Sequence, residues 1–305
     1  MTKILITIDV ESSKEVRDGV MHHLHYKEDI ETPCKRIIKI ADRYGAKVTF
    51  MVPLSEIWAD HKEIAELMSL MIKNHDIQVH LHRPTPLLTE KELTEILKSE
   101  VDMIEEFTGI RPVAIRAGGY NVGKGGKWIR SVLNAGLRID CSVWPGVSTI
   151  KSKRVRDRAV RNEERYWGKG ALYFDFRGAP MFGPYRVSDD NIARIGNTKL
   201  VEIPITVSRY EEVNPWKYRF DPKNQNMVQL KNSVLKYSDK DILEMFWHSN
   251  RVIFKGVDVS WIYMRRFEGI LKFLARKGAE FVTMSEVGEV IERGEIFVEG
   301  EPRYE

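Results

Sequence analysis

The sequence predicts an α/β fold built on a mainly parallel sheet, either open or closed into a barrel. Short apolar segments alternate with amphipathic helical segments over the first 145 residues, and the same rhythm returns after residue 238. Two of the apolar segments end abruptly in acidic or histidine side chains. Strands that alternate with helices pair in parallel through right-handed crossovers. A sheet with polar side chains at its carboxyl edge is therefore expected.

The N-terminal elements follow from hydrophobic periodicity and from helix end signals. The predicted strands are Lys3–Glu11, Ala46–Val52, Ile77–His82, Val113–Arg116 and Leu137–Val143. The predicted helices are Thr32–Tyr44, Ile57–Lys73, Thr89–Phe107 and Lys127–Ala135. Thr89 followed three residues later by Glu92 has the pattern of a capping box, which marks a helix start. The polar segment Ser12–Asp29 is predicted to be a loop.

The rhythm breaks between Pro145 and Ser238, where Gly, Pro, Asp and Asn predict hairpins and loops rather than helices. Within this segment Leu172–Phe176 and Leu200–Val207 are predicted strands, and the second is a candidate barrel strand. The pattern then resumes with Leu243–His248, Val259–Arg276, Glu280–Met284 and Ser285–Glu292. We therefore expect one domain over residues 1–305, with an elaboration at 145–238 and a peripheral acidic tail after Ile296.

Composition excludes several classes of protein. The chain is 43% hydrophobic and 30% charged with a net charge of +4, which is typical of a globular protein and gives little reason to expect nucleic acid as a partner. Cys34 and Cys141 belong to no metal or redox spacing motif. No leader pattern and no bilayer-length apolar run is found, so a cytoplasmic protein is expected. The sequence predicts no particular oligomer.

The first strand ends in two carboxylates, Asp9 and Glu11. Side chains two apart in a strand share a face, so both project from the carboxyl end, where parallel sheets and barrels build their pockets. Two such acids repel each other unless a cation or protons lie between them. Alone, the pair fits two solvated acids at the start of a loop as well as it fits a metal site.

His80 and His82 also stand two apart at a strand end. Two imidazoles and a carboxylate that meet at one point form a facial ligand set for Zn²⁺, with Fe²⁺, Co²⁺, Ni²⁺ and Mn²⁺ as alternatives. An isolated His-x-His pair is often structural. Next to an acidic strand end in an alternating fold, it favours a metal site made of His80, His82 and one of the two carboxylates.

Three further strand ends carry polar side chains. The segment Arg116–Tyr120, RAGGY, has glycines that let backbone N–H groups approach a ligand, although an ordinary glycine-rich turn would look the same. Asp140 and Trp144 flank the next strand end. His248 ends the run LEMFWH and stands where a general acid would be needed, although a lone histidine is more often a packed or surface residue.

In this order the motifs resemble those of the polysaccharide deacetylase, or NodB-homology, family of carbohydrate esterases (family 4). The matching stretches are TIDVE, KNHDIQVHLH, RAGGY, DCSVW and FWHS, and FEGILKFLARKGAEFVTMSEV is similar to the family's last helix and strand. The resemblance covers nearly the whole chain apart from the middle elaboration. It implies a distorted or incomplete (β/α) barrel.

The resemblance also implies roles for individual residues. Asp9 would be the base that activates a water on the metal, and Arg116 would orient Asp9. His248 would be the general acid that protonates the leaving amine, with Asp140 as its electrostatic support. The backbone N–H of Tyr120 would help to hold the oxyanion.

The chain departs from the family pattern at two positions. Val10 stands where the family's usual ligand aspartate follows the base, so Glu11 must replace it. Pro84 stands four residues after His80, where the second ligand histidine usually lies, so His82 must substitute. His75 is expected to be structural.

The expected function is a metal-dependent hydrolase that removes N-acetyl groups from an amino sugar or its saccharide intermediate. Two alternatives remain open: hydrolysis of another non-peptide C–N bond, as in allantoinase-like relatives, and carbohydrate binding without catalysis on a degenerate site. Five aromatic residues are candidates for a sugar platform, although core packing is their default explanation: Trp144, Trp167, Tyr173, Phe182 and Tyr185.

Overall fold

The computed structural model describes residues 2–12, 14–17, 20–57, 59–149, 157, 164–207, 219–250, 253–254, 257–296 and 298–300. The strands in chain order are β1 Lys3–Asp9, β2 Lys14–Arg17, β3 Val20–His23, β4 Thr49–Val52, β5 Asp76–Leu81, β6 Ala114–Ala117, β7 Ile139–Asp140, β8 Tyr185–Arg186, β9 Val201–Glu202, β10 Ile242–His248, β11 Ile253–Phe254, β12 Val257–Asp258 and β13 Glu280–Val282.

The longer helices are α1 Thr32–Arg43, α2 His61–Met71, α3 Glu90–Thr108, α4 Lys127–Asn134, α5 Met227–Lys236, α6 Ser260–Arg276 and α7 Met284–Glu292. A π-helix spans Tyr26–Glu31, and single 3₁₀ turns span Leu54–Glu56, Thr85–Leu87 and Gly118–Tyr120. The predicted capping box forms at the start of α3, where the Thr89 side chain accepts from the backbone N–H of Glu92.

The main sheet runs in the order β10-β1-β4-β5-β6-β7-β9-β8, and its pairs are parallel except β8 with β9. β1 is its centre. β1 pairs with β10 along its whole length, with β13 at Lys3–Leu5 and with β4 at Thr7–Asp9. Six of its seven residues are buried, which explains the continuous apolar run in its sequence.

The sheet curls into an incomplete (β/α) barrel. Its two sides approach each other beyond β9, where the backbone N–H of Glu244 in β10 donates to Oγ1 of Thr206 (2.9 Å). Further along β10, the N–H of Phe246 donates to the carbonyl of Phe220 (3.1 Å). These two contacts take the place of a regular ladder, so the barrel is distorted on this side.

The predicted fold class, a distorted or incomplete (β/α) barrel, is confirmed. The described part of the segment after residue 145 is irregular and contributes β8 and β9 to the sheet. Leu200–Val207 does contribute a strand to the main sheet, although only Val201–Glu202 pairs regularly. The single-domain assignment stays a prediction, because no comparison tests it.

Three details of the prediction are wrong. The segment Ser12–Asp29 is not a plain loop, because β2 and β3 form an antiparallel hairpin within it. The elaboration contains a helix, α5, whose capping box at Asn226 is a local start signal. The tail after Ile296 is not peripheral where it is described, because Val298 is buried and the carbonyl of Glu299 accepts from the N–H of Arg186 (2.8 Å).

Among the described residues, no helix is both long enough and apolar enough to cross a membrane.

Candidate active site

The polar strand ends meet at one edge of the barrel. Parallel pairing sets Asp9 beside His248, and it sets His80 beside Arg116. Because β1, β5, β6 and β10 all end there, the polar side chains at or near their ends lie close together. Asp9, Glu11, His80, His82 and Arg116 are all buried.

Glu11, His80 and His82 form a compact cluster. Oε1 of Glu11 lies 3.0 Å from Nε2 of His80 and 2.9 Å from Nε2 of His82. The two imidazole rings are nearly perpendicular, with centroids 4.6 Å apart. The structure therefore brings together the three predicted metal ligands, and their potential ligand atoms all lie within 4.8 Å of one another.

The hydrogen-bond partner of Nδ1 determines the tautomer of each imidazole. Nδ1 of His80 lies 2.9 Å from the backbone carbonyl of Arg116, which can only accept, so Nδ1 carries the proton. Nδ1 of His82 lies 2.8 Å from a carboxylate oxygen of Glu56. Burial raises the pKa of Glu56, but His82, His23 and Arg83 outweigh burial and hold that pKa well below its ordinary value. Glu56 is therefore ionised, and it accepts the Nδ1 proton of His82.

In its neutral form, each imidazole therefore directs an Nε2 lone pair at Glu11. A carboxylate and two such lone pairs that converge in a buried site need protons or a metal cation between them. A histidine whose other nitrogen is hydrogen-bonded to a carboxylate or a carbonyl is the usual arrangement of a metal ligand. The donor set of one carboxylate and two imidazoles thus fits a divalent transition metal.

Asp9 belongs to a second network. Its Oδ1 accepts from Nη1 of Arg116 (2.8 Å), and its Oδ2 lies 3.9 Å from Nε2 of both His80 and His248. Burial raises the pKa of Asp9, but the Arg116 guanidinium and the nearby histidines outweigh burial and lower that pKa overall. Asp9 is therefore a carboxylate that is held in place and remains ionised.

Arg116 is fully buried and bridges two acids. Its Nη2 donates to Glu244 of β10, and its Nε donates to the carbonyl of Cys141 (2.9 Å). Thr7 donates its hydroxyl proton to Glu244 as well (2.5 Å). These hydrogen bonds hold the Arg116 guanidinium beside Asp9.

His248 lies at the rim of the pocket with its side chain 25% exposed. Burial lowers its pKa to about 3, although the charges of Glu11 and Asp9 act in the opposite direction. Its imidazole is therefore neutral at neutral pH. Phe246 packs edge-on against the ring, with centroids 4.8 Å apart.

The Arg116–Tyr120 segment closes the pocket on another side. A Cβ atom on Gly118 would lie 2.2 Å from the ring of His82, so only glycine fits there. Tyr120 has the left-handed φ of 62°, which is unusual for a residue with a side chain. Its hydroxyl accepts from Arg219 (2.7 Å). The glycine thus serves the packing of a predicted ligand, which the sequence did not indicate.

Asp140 lies apart from His248 in its described contacts. Its carboxylate accepts from the indole N–H of Trp128 (2.6 Å) and from the backbone N–H of Ser142 (2.7 Å). Burial raises its pKa, and burial also raises the pKa of the adjacent Glu202. Among the described residues, Asp140 makes no direct contact with His248, so no contact supports its predicted role. Its hydrogen bonds anchor the β7 region instead.

Sequence reasoning missed three site residues. Glu244 stands as a single charge inside the apolar run ILEMFW, and Glu56 follows the end of β4 closely, so each carried a signal. Arg219 carried none. Its guanidinium stacks over the rings of Trp144 and Phe246 at 4.7 and 4.8 Å, and it donates to Asp221 (2.9 Å).

Three solved structures are similar to this chain over most of their length. A proposed polysaccharide deacetylase from Mycobacterium smegmatis superposes with a TM-score of 0.59 at 15% identity, over 100% of this chain and 94% of that chain. The peptidoglycan deacetylase PdaC from Bacillus subtilis matches at 0.44 and 15% identity, over 96% and 93% of the two chains. A carbohydrate esterase family 4 domain of a xylanase from the hindgut metagenome of Trinervitermes trinervoides matches at 0.48 and 13%, over 96% and 91%.

No protein-family model and no curated protein matches the sequence. The Mycobacterium smegmatis protein establishes the architecture, and the resemblance predicted from the sequence motifs is thereby confirmed at the level of the fold. The chain therefore has the polysaccharide deacetylase fold.

Proposed function

We propose that the protein is a metal-dependent hydrolase that removes an N-acetyl group from an amino sugar or its saccharide intermediate. The observation that carries the proposal is the convergence of two imidazole Nε2 atoms on one carboxylate oxygen, with a second, ionised carboxylate beside them. A site with separate ligand and base is what amide hydrolysis on a metal requires. The deacetylase fold supports the same class of reaction.

Glu11, His80 and His82 would hold the metal, with Zn²⁺ as the first candidate. When bound, the cation would polarise the acetamido carbonyl and ease deprotonation of the attacking water. Glu56 and the carbonyl of Arg116 keep both histidines in the coordinating tautomer.

Asp9 would accept the proton of the attacking water. Arg116 keeps this carboxylate oriented and ionised, and Glu244 holds Arg116 from behind. The backbone N–H of Tyr120 is the proposed donor to the developing oxyanion.

His248 would protonate the leaving amine. Its neutral resting state means that it must gain a proton in the substrate complex before it can act as an acid. Nε2 of His248 lies 3.9 Å from Oδ2 of Asp9, so the proposed acid and the proposed base are neighbours.

Two other functions use the same geometry. Hydrolysis of a different non-peptide C–N bond needs the same ligands and base, and only the substrate distinguishes it. Carbohydrate binding without catalysis would need no ionised base. The Asp9–Arg116 pair favours catalysis over that second alternative.

The test is a product screen with the zinc-loaded protein. N-acetylated amino sugars, their nucleotide derivatives and short saccharides are incubated with the protein, and released acetate and free amine are both quantified. We expect stoichiometric acetate and amine from at least one substrate, and loss of both in Asp9→Asn. Release of ammonia or a cyclised product would favour the other C–N hydrolase, and saccharide binding without any release would favour the non-catalytic function.

A further inference from the structure

A strongly basic surface covers one side of the barrel. It consists of the exposed side chains of α1, α5 and α6, and we call it the basic face. α6 contacts both of the other helices: Arg43 of α1 pairs with Glu268 of α6 (2.6 Å), and a Cβ atom on Gly269 of α6 would lie 3.1 Å from Sδ of Met227 in α5. The three helices carry ten Lys or Arg residues and two acidic residues, a net charge of +8, whereas the whole chain carries +4. The rest of the chain is therefore net acidic.

The cations of the basic face are accessible to solvent. Lys39 of α1 and Lys272 of α6 are exposed, and among the described residues no carboxylate lies within ion-pair distance of either ammonium group. α3, which packs against α2 and α4 instead, has seven acidic and two basic residues. Positive charge is thus concentrated on one side of the molecule, where it attracts an extended anionic surface.

Large apolar side chains are exposed on the same face. Among the described residues six large hydrophobic side chains are exposed, and three of them belong to α5 and α6: Val228 (66%), Leu235 (54%) and Trp261 (53%). Val228 and Leu235 are seven residues apart, so they lie on one stripe of α5. The Arg265 guanidinium lies over the ring of Trp261, 5.2 Å from the centroid. Apolar and cationic groups are therefore interleaved on the basic face.

The packing of α5 on α6 brings these side chains onto one surface. Met227 contacts Gly269, and Nζ of Lys231 lies 5.3 Å from the ring centroid of Phe273, so the contacts advance by four residues along both helices. The two helices therefore run side by side in the same direction. Both bury apolar residues of their opposite sides in the same core cluster, so their exposed stripes face solvent together.

The combination of charge and apolar surface decides which partner fits. Helices that lie on a membrane carry cations around exposed Trp and aliphatic side chains, because the cations attract anionic headgroups while the apolar side chains enter the boundary with the acyl chains. Trp is the residue that most favours this interface. A nucleic acid would use the cations and the indole ring, but it offers no apolar phase for Val228 and Leu235.

We propose that the basic face binds the surface of an anionic phospholipid bilayer, with Val228, Leu235 and Trp261 inserted at the level of the headgroups. The binding is peripheral, and it combines electrostatic attraction with apolar insertion. The face lies outside the candidate active site, so the inference does not depend on the proposed hydrolysis.

Co-sedimentation of the full chain with lipid vesicles tests the proposal. Phosphatidylcholine vesicles that contain about one third phosphatidylglycerol are compared with vesicles of phosphatidylcholine alone. We expect much tighter binding to the anionic vesicles, and weaker binding as salt is added, because salt screens the headgroup charge. One cation near such a surface contributes about fivefold in affinity, or about 1 kcal/mol. The double variant Lys39→Gln, Lys272→Gln should therefore bind about 25-fold more weakly.

Matched controls come from the other side of the molecule. The double variant Lys91→Gln, Lys98→Gln removes two charges from α3 and should bind as the wild type does. Leu235→Ala should weaken binding severalfold, whereas Ile110→Ala, at a residue that is 48% exposed just beyond α3, should not. Tryptophan emission of the wild type should shift to shorter wavelength on anionic vesicles, and most of that shift should be absent in Trp261→Phe.

Equal binding to the two kinds of vesicle would overturn the proposal. A loss in the α3 variant as large as that in the variant of Lys39 and Lys272 would overturn it as well. A single-stranded RNA oligonucleotide is tested in parallel. RNA binding that is lost in the variant of Lys39 and Lys272 and survives Leu235→Ala, without binding to anionic vesicles, would assign the basic face to nucleic acid instead. All of these substitutions replace exposed side chains, and circular dichroism checks that each variant is folded.

Discussion

Glu56→Gln should weaken metal binding although Glu56 is not a proposed ligand. The side chain of Glu56 is fully buried, and it accepts three hydrogen bonds from two neighbouring residues. Its Oε1 accepts from the backbone N–H of His82 and from Nη1 of Arg83, both at 2.8 Å. Its Oε2 accepts from Nδ1 of His82 at 2.8 Å.

Glutamine can satisfy only part of this arrangement, because it has one acceptor oxygen where glutamate has two. The oxygen that faces Arg83 receives two donors, one of them charged, so the amide oxygen takes that position. The amide NH₂ then faces Nδ1 of His82. The ring must accept from it, which moves the imidazole proton to Nε2 and blocks the lone pair that faces Glu11.

The expected loss of zinc affinity follows from this change in the tautomer of His82. Loss of an outer partner of a metal-ligating histidine costs about 10- to 100-fold in affinity, which is about 1.4 to 2.7 kcal/mol. The free energy of unfolding should fall as well, by about 1.5 to 3 kcal/mol, because a charge-assisted hydrogen bond to Arg83 is weakened.

The assay is a competition titration of Zn²⁺ against a chelator of known affinity, combined with urea unfolding of the metal-free protein. Glu100→Gln is the control, because Glu100 is buried in the same region and bonds to Ser55 rather than to His82. Wild-type zinc affinity in a folded Glu56→Gln protein would refute the reasoning, and so would an equal loss in Glu100→Gln.

Three further predictions concern the same region. Glu11→Gln should lose zinc, measured by elemental analysis, while Asp9→Asn should keep zinc and lose turnover. Equal zinc loss in both variants would make Asp9 a ligand, and zinc retention in both would remove carboxylates from the proposed ligand set. Burial raises the pKa of Glu100 to about 7, so between about pH 4.5 and 7 the folded state keeps a proton that the unfolded state loses, and the free energy of unfolding falls as pH rises. Glu100→Gln should flatten this pH dependence and gain about 3 kcal/mol in unfolding free energy above pH 7. An unchanged pH profile of the urea midpoints would contradict this prediction. His248→Ala should slow amide cleavage far more than cleavage of an activated ester, because a good leaving group needs little protonation, and it should keep its zinc; an unchanged ratio of the two rates would exclude His248 as the acid.

The fold could be predicted from the sequence because each strand and helix has its own local pattern of apolar residues. Buried parallel strands are continuous apolar runs, and the helices between them have a single apolar stripe, so each element is visible alone. The hairpin of β2 and β3 was missed because its sequence, KEVRDGVMHH, is too polar to look like a pair of strands. The distorted side of the barrel was also invisible, since its contacts join Thr206 and Phe220 to distant residues of β10.

The site residues could be predicted only where they lie at strand ends. Asp9, His80, Arg116 and His248 are each at or near the last residue of a strand, and parallel pairing brings such ends together without further information. Glu56 has its role only because a 3₁₀ turn after β4 points back at His82. The short distance from the end of β4 marks Glu56 as a candidate, but no local pattern encodes its contact with His82.

The two departures from the deacetylase pattern gain a common explanation in the geometry. Val10 is 1% exposed and belongs to the core, on the opposite face from Asp9, so it is not available to the site. Glu11 lies beyond the end of β1, and the contact of its N–H with Ser249 fixes its backbone, so its longer side chain can reach both imidazoles. Because side chains two apart in a strand share a face, His82 lies on the face of His80 and can take the place of a proposed ligand expected four residues away. A carboxylate moved outward along β1 and a histidine moved inward along β5 therefore approach each other, since Nε2 of both histidines lies near Oε1 of Glu11, and the altered spacing would preserve the proposed donor set.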